Sequence, residues 1–304
     1  MMPIDTHVTR FLDPAVLRSL ESIELAARLL VEGLYASRHR CPFYGYTVEF
    51  KDYREYAPGD EPRTIDWKVL ARTERYVVKR FEMESNMDVM CLLDSSGSMG
   101  YQPTDRKRLS KYEYGCLLAA SLSYLAVRQQ DAAGLVTFGE DIREYIPCRQ
   151  GQRHLFGLLA ALQRSRSDGQ TDLAAVLKTI ALRLKRRTIV VLIADCHGDE
   201  TATLDGIRHL AARGHEVVLM HVLDADEVRF PFESLTSFRD LESGAQLMCD
   251  PVRQRKRYLA ALERFRRTIR DGGAECGSDY RLFDTAEPIE KALREYLVFR
   301  KARG

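Results

Sequence analysis

Five consecutive apolar residues, Val89-Met90-Cys91-Leu92-Leu93, stop at Asp94 and give way to Ser95-Ser96-Gly97-Ser98. The run is too short for a helix and too uniformly apolar for a strand with one wet face. It reads as a strand buried on both faces of a parallel sheet. A polar, glycine-containing turn after such a strand lies at the carboxyl edge of the sheet, where open α/β sheets build their ligand sites. Asp94, Ser96 and Ser98 are two residues apart, so one tight loop can aim three oxygens at one point. Converging hard oxygens point to a hard cation, Mg²⁺ or Ca²⁺. The competing reading is an ordinary hydroxyl-rich turn.

Two later stretches add to this loop. Thr171 stands just before an apolar-periodic helix carrying Leu173, Val176, Leu177, Ile180 and Leu184. Val190-Val191-Leu192-Ile193-Ala194 is a second continuous apolar run, again a buried strand, and it ends at Asp195. These five residues, in this order, resemble the metal-ion-dependent adhesion site of the von Willebrand factor A-type domain. That signature is Asp-x-Ser-x-Ser, a Thr from a second loop and an Asp after a later strand. The resemblance implies an α/β fold with a doubly wound, mostly parallel sheet and one antiparallel edge strand. It implies Ser96, Ser98 and Thr171 as direct metal ligands, with Asp94 and Asp195 often acting through water. Mg²⁺ is the expected ion because the loops are short and waters fill the gaps; Mn²⁺ or Ca²⁺ suits the same donors. Two carboxylates and three neutral hydroxyls are few charges for a divalent ion, which leaves a position for a Glu or Asp of a partner.

The segment before this domain has its own character. Asp13-Pro14 has the form of a helix start, and the apolar positions from Val16 to Leu34 keep a helical period, with Gly33 as a candidate end. Tyr44–Phe50 and Arg75–Glu82 read as strands, and Ala57-Pro58-Gly59-Asp60 as a turn. Between them, Arg63, Asp66, Lys68 and Arg72 crowd around Trp67, the single Trp of the chain. This is either a surface salt-bridge cluster beside a core Trp or an interaction face; Arg63, Asp66, Trp67 and Arg72 are the candidate partner-binding residues. The string Pro58-Gly59-Asp60-x-x-Arg63-x-Ile65-Asp66-Trp67, with Lys79-Arg80-Phe81-Glu82 after it, is similar to the hallmark of domain-of-unknown-function family 58. Members place this segment just before a von Willebrand A-like domain. The resemblance implies a partnership with MoxR-type AAA+ ATPases in the assembly or maturation of other proteins. The expected division is 1–87, a helix plus a β segment, and 88–304, the von Willebrand A-like domain.

Composition limits the alternatives. A net charge of +2 over 304 residues does not mark a polyanion binder by bulk charge. The seven Cys are scattered and never spaced C-x-x-C, which argues for a reducing compartment rather than a disulfide framework or a zinc site. The N-terminal stretch has no apolar signal region, and no run approaches the ~20 apolar residues of a membrane helix. A cytoplasmic location is therefore expected, and adhesion is not imported from the extracellular relatives of the site.

The rest of the chain fits an α/β alternation. Leu109–Arg128 reads as a buried helix, and Ala133–Phe138 with Ile142–Ile146 as a hairpin. Glu216–Val222 reads as another buried strand, with His221 a core or edge residue. His197, Asp199 and Glu200 either support the site or cap the next helix. Residues 224–250 form a less regular excursion, Asp279–Asp284 is a last strand, and an amphipathic helix follows Pro288. Val252–Arg270 is a strongly basic helix; a solvated charged face is the plain reading and nucleic-acid or acidic-partner binding the alternative. No G-x-x-x-x-G-K-[ST] loop is present. A metal-assisted phosphatase or hydrolase would need a second carboxylate two residues after Asp94, where Ser96 stands. A protein-interaction module, not an enzyme, is the expected function.

Overall fold

The computed structural model describes residues 23–36, 48–56, 66–73, 75–83, 87–103, 105 and 107–303. Asp13-Pro14, the 57–60 turn and Arg63 lie outside them. Helix α1 (Ile23–Ala36) is followed by β1 (Val48–Glu55), α2 (Trp67–Thr73) and β2 (Val77–Met83). Then come β3 (Asp88–Asp94), α3 (Lys111–Arg128), β4 (Ala132–Phe138), β5 (Ile142–Arg149), α4 (Gln152–Arg164) and α5 (Leu173–Arg183). β6 (Thr188–Ala194), α6 (Glu200–Ala212), β7 (Glu216–Leu223) and α7 (Ala225–Arg229) lead to a hairpin, β8 (Thr236–Arg239) and β9 (Gln246–Cys249). α8 (Pro251–Glu275), β10 (Asp279–Asp284) and α9 (Ile289–Arg303) complete the order.

The chain divides into two compact units, and the partition differs from the expected one. Residues 43–87 form the smaller unit, and α1 belongs with 88–304 in the larger. The reason is packing: α1 buries Ala26, Ala27, Leu30 and Val31 and lies against α3 and α9. That burial also carries the helix through Gly33 to Ala36, although a helical glycine costs about 1 kcal/mol. In the smaller unit β1 and β2 pair antiparallel, and β1 runs on past Phe50 to Glu55.

The larger unit is built on a six-stranded sheet in the order β10-β7-β6-β3-β4-β5. All neighbours are parallel except β4 and β5, so the antiparallel strand sits at one edge. The continuous apolar runs occupy its middle: every residue of β4 and β6, and all of β3 and β7 beyond their first residues, is buried. Met90 and Leu92 point into the face covered by α5, α6 and α8, where Val176, Leu177, Ile207 and Ile269 meet them in one core. The opposite face is closed by α3, whose Gly115 comes so near the sheet that a Cβ there would lie 2.8 Å from Leu93. Strand β3 sends the chain to β4 on one side, and β6 returns on the other. The order therefore reverses at β3, and a crevice opens at the carboxyl ends of β3 and β6.

The expected excursion at 224–250 resolves into the short helix α7 and the β8–β9 hairpin. Phe230 anchors the hairpin, stacked on Tyr258 at 4.4 Å and on Phe238 at 5.6 Å between ring centroids. Arg255 of the basic helix α8 donates to the carbonyls of Phe230 and Phe232 at 3.0 and 2.9 Å. Arg253, Arg266 and Arg270 pair with Asp250, Glu263 and Asp271. The helix therefore spends much of its charge locally rather than presenting it in one stripe. Among the described residues no helix is long and apolar enough to cross a membrane.

Candidate functional site

The register of the sheet brings two of the expected loops together. Leu93 pairs with Ile193, so the chain leaves β3 at Asp94 and β6 at Asp195 at nearly the same height. The third loop is stitched to the first by its backbone: Gly97 N–H donates to the Gly169 carbonyl at 2.8 Å, and Asp168 N–H to the Ser95 carbonyl at 2.9 Å. Thr171 follows, half-buried, and Asp172 caps α5 by accepting from Ala175 N–H at 3.0 Å. Ser98, Thr171 and Lys111 line one cleft. The three loops expected from the sequence thus meet at one sheet edge.

Asp94 is 1 % exposed. Its Oδ1 accepts from Ser96 N–H at 2.8 Å, while its Oδ2 is excluded from solvent and has no hydrogen-bond partner. Burial, and then the charge of Asp195, push its pKa up to about 7. The Ser96 and Ser98 hydroxyls are 3.0 Å apart. Cis ligands of an octahedral Mg²⁺ with bonds of 2.0–2.1 Å lie about 2.9 Å apart, so the two hydroxyls already stand at a suitable spacing. An orphaned buried carboxylate oxygen beside two such hydroxyls is a donor set that fits a divalent cation. Among the described residues no three of His, Cys, Asp and Glu form a metal group; the fit rests on hydroxyls as well as carboxylates.

Asp195 is fully buried and differently placed. Lys111 donates to its Oδ2 at 2.8 Å, and His197 N–H to its Oδ1 at 3.3 Å. Burial acts to raise its pKa, but the charges of Lys111 and then His197, with hydrogen bonds to the carboxylate, together outweigh that and hold the carboxyl well below the usual range. Lys111 reaches Glu227 Oε1 at 2.8 Å as well. Burial would lower the lysine, and Asp195 and Glu227 together hold it above its ordinary value. His197 stands 3.4 Å from Glu227 and 3.8 Å from Asp195, and the Asp195 charge raises its pKa against burial.

Local backbone holds Asp195 in place. Cys196 adopts φ 55°, a left-handed conformation uncommon for a non-glycine residue, immediately after it. His221 Nε2 is 2.9 Å from the Asp195 carbonyl, which can only accept, so this nitrogen carries the proton and Nδ1 accepts from the Tyr280 hydroxyl. Burial lowers its pKa to about 4, and it stays neutral as a structural support, the role read for it in the sequence. Asp199 caps α6 by accepting from Thr201 and Ala202 N–H.

The candidate partner-binding residues lie on the smaller unit. Asp66 opens α2, its Oδ1 accepting from Val69 N–H at 3.3 Å. Trp67 is 59 % exposed, so it is not a core residue, and Arg72 is exposed too. Sequence reasoning missed Lys111 and Glu227. Each left a signal: a lysine in the first turn of a helix opposes the helix dipole, so something else must hold it there. Asp224-x-x-Glu227 has the spacing of a capping box, which the structure contains.

A family model described as "Protein of unknown function DUF58" matches residues 52–268. Uncharacterized proteins of Mycobacterium tuberculosis and Mycobacterium bovis are 27% identical over 270 residues, 86% of this chain and 84% of theirs. The uncharacterized protein YeaD of Bacillus subtilis is 25% identical over 115 residues, 38% of this chain and 26% of its own. Among solved structures, an aerotolerance-related membrane protein from Bacteroides fragilis gives a TM-score of 0.51 at 17% identity, covering 72% of this chain and 100% of that one. That likeness is one of fold. The family model spans more than half of the sequence, so the chain belongs to the family described as Protein of unknown function DUF58.

Proposed function

We propose that the chain is a cytosolic, metal-dependent protein-interaction module, not an enzyme, in which Asp94, Ser96, Ser98, Thr171 and Asp195 hold Mg²⁺. Bound there, the ion supplies a Lewis-acid position that takes a carboxylate from another protein. The observation that supports this most is Asp94 Oδ2, buried and unpartnered beside two hydroxyls 3.0 Å apart. A buried carboxylate oxygen without a partner is costly, and an ion relieves that cost. Lys111 and the His197 N–H fix the Asp195 carboxylate, and His221 supports its backbone. The adjoining cleft, about 1020 Å³, has an apolar wall that includes Phe232, Phe238 and Tyr258, which suits the chain around an incoming acid.

On the family resemblance, the partner is a MoxR-type AAA+ ATPase, or a client protein presenting a Glu or Asp, and the work done is assembly or maturation. The ATPase supplies the energy in this reading. Asp66, Trp67 and Arg72 offer a second contact face on the smaller unit; Arg63, expected with them, lies outside the described residues. In a pulldown against the ATPase, Asp94→Ala and Thr171→Ala are expected to weaken binding by more than about 100-fold, the upper end for loss of an outer-shell group. EDTA is expected to do the same to the wild type. Binding by both variants that matches wild type, with and without EDTA, overturns the metal route.

A further inference from the structure

The tip of the β8–β9 hairpin rests on the candidate metal loop. A Cβ on Gly97 would lie 2.6 Å from the Leu241 carbonyl oxygen, so the two backbones touch where residue 97 has no side chain. The tip is stitched by Asp240, which accepts from Glu242 N–H at 2.9 Å and from the Ser243 hydroxyl. Glu242, two residues after Asp240, lines the same cleft as Ser98, Thr171 and Lys111. Glu242 Oε1 is excluded from solvent, and no hydrogen bond reaches it among the described residues. Asp94 Oδ2 is in the same condition. Lys111, the buried ammonium of the cleft, is already held by Asp195 and Glu227. Two solvent-excluded, unpartnered carboxylate oxygens at one site repel each other unless a proton or a cation stands with them, and only a cation lets both stay ionised.

We infer that Glu242 is a ligand the chain carries for its own metal: the hairpin tip presents this carboxylate at the position a partner's acid would take. The site is then closed in cis, and a partner must displace the tip to bind. The inference rests on the metal reading above. It adds the occupant of the open position and a means of regulating it. The lever is short and separate from the core, since the hairpin is a two-stranded sheet held at its base by the Phe230 ring cluster.

Mn²⁺ titrations of the full chain, read by electron paramagnetic resonance together with water-proton relaxation, test this. The relaxation counts waters on the bound ion. Glu242→Gln is expected to weaken Mn²⁺ about tenfold, within the range for loss of one carboxylate near a metal, and to add about one exchangeable water. Glu242→Asp, one methylene shorter, is expected to add the same water, with Asp94→Asn abolishing binding. If Glu242→Gln matches wild type in affinity and relaxation while Asp94→Asn still abolishes binding, the tip is no ligand and the metal reading survives. Weaker binding with an unchanged water count reduces Glu242 to a through-space charge and also overturns the ligand assignment. A wild type that binds no Mn²⁺ overturns the metal reading and this inference with it.

Discussion

The candidate metal loops and the β8–β9 hairpin meet at Gly97 but are built in opposite ways. The loops leave strands buried on both faces, and Asp94, Ser95, Ser96 and Asp195 are themselves buried. Their backbone is tied across the sheet edge: Ser95 N–H donates to the Phe138 carbonyl at 2.8 Å and Gly97 N–H to Gly169. The hairpin has two strands of four residues each and leaves Leu235, Leu241, Leu247 and Met248 exposed. A two-stranded hairpin is marginal alone, and this one depends on the rings at its base. On the proposed metal reading, the donors that keep fixed spacing stand on the rigid core, and the element that would move to admit a partner stands on a marginal one.

The contrast predicts stability effects that fall off steeply from loop to hairpin. Asp94 has the largest. In the fold its pKa is pushed up to about 7, against about 3.9 in an unfolded chain. Between those values the folded state keeps a proton that the unfolded state has released. The metal-free wild type therefore loses stability as pH rises from about 4 to 7, and the loss is complete above 7. Asp94→Asn removes that titration. Its denaturant midpoint, measured in EDTA, is expected to gain on wild type with rising pH, by at most about 4 kcal/mol at pH 8. A constant difference between the two proteins across that pH range would place Asp94 in a solvated loop.

Lys111→Met comes next. It leaves Asp195 and Glu227 buried against an apolar side chain, and is expected to cost about 3 kcal/mol in chemical denaturation. It also removes a cation from beside the site, so Mg²⁺ affinity is expected to rise by up to about tenfold in calorimetry. Weaker Mg²⁺ binding would instead make Lys111 a support that the donors require. The smallest effect belongs to the hairpin. Leu247 is 67 % exposed, and Leu247→Ser is expected to change stability by less than about 0.5 kcal/mol. A loss of several kcal/mol there would mean that the hairpin is part of the core, and the comparison would fail.

How far the chain could be read in advance follows the same division. The β3 and β6 runs announce themselves because a strand buried on both faces has no polar alternation to confuse it, and the residues that end them, Asp94 and Asp195, come with them. The β8–β9 hairpin reads only as a less regular excursion, since four-residue strands with exposed Leu and Met carry little periodicity. Trp67 was open between core and surface because one aromatic residue among charges has no period at all. Helix α1 was assigned with the segment after it by adjacency in the chain, whereas its apolar face belongs to α3 and α9.

Local sequence determined the strands, the helix starts and the three polar loops, because apolar period and turn chemistry act between residues a few positions apart. Only the tertiary structure decided that Lys111 would lie between Asp195 and Glu227, and that the tip around Glu242 would rest on Gly97. Those pairs are separated by up to 145 positions along the chain. What joins them is the order of strands in the sheet and the fold-back of the hairpin, and both are set by which apolar faces bury each other rather than by the residues that end up in contact.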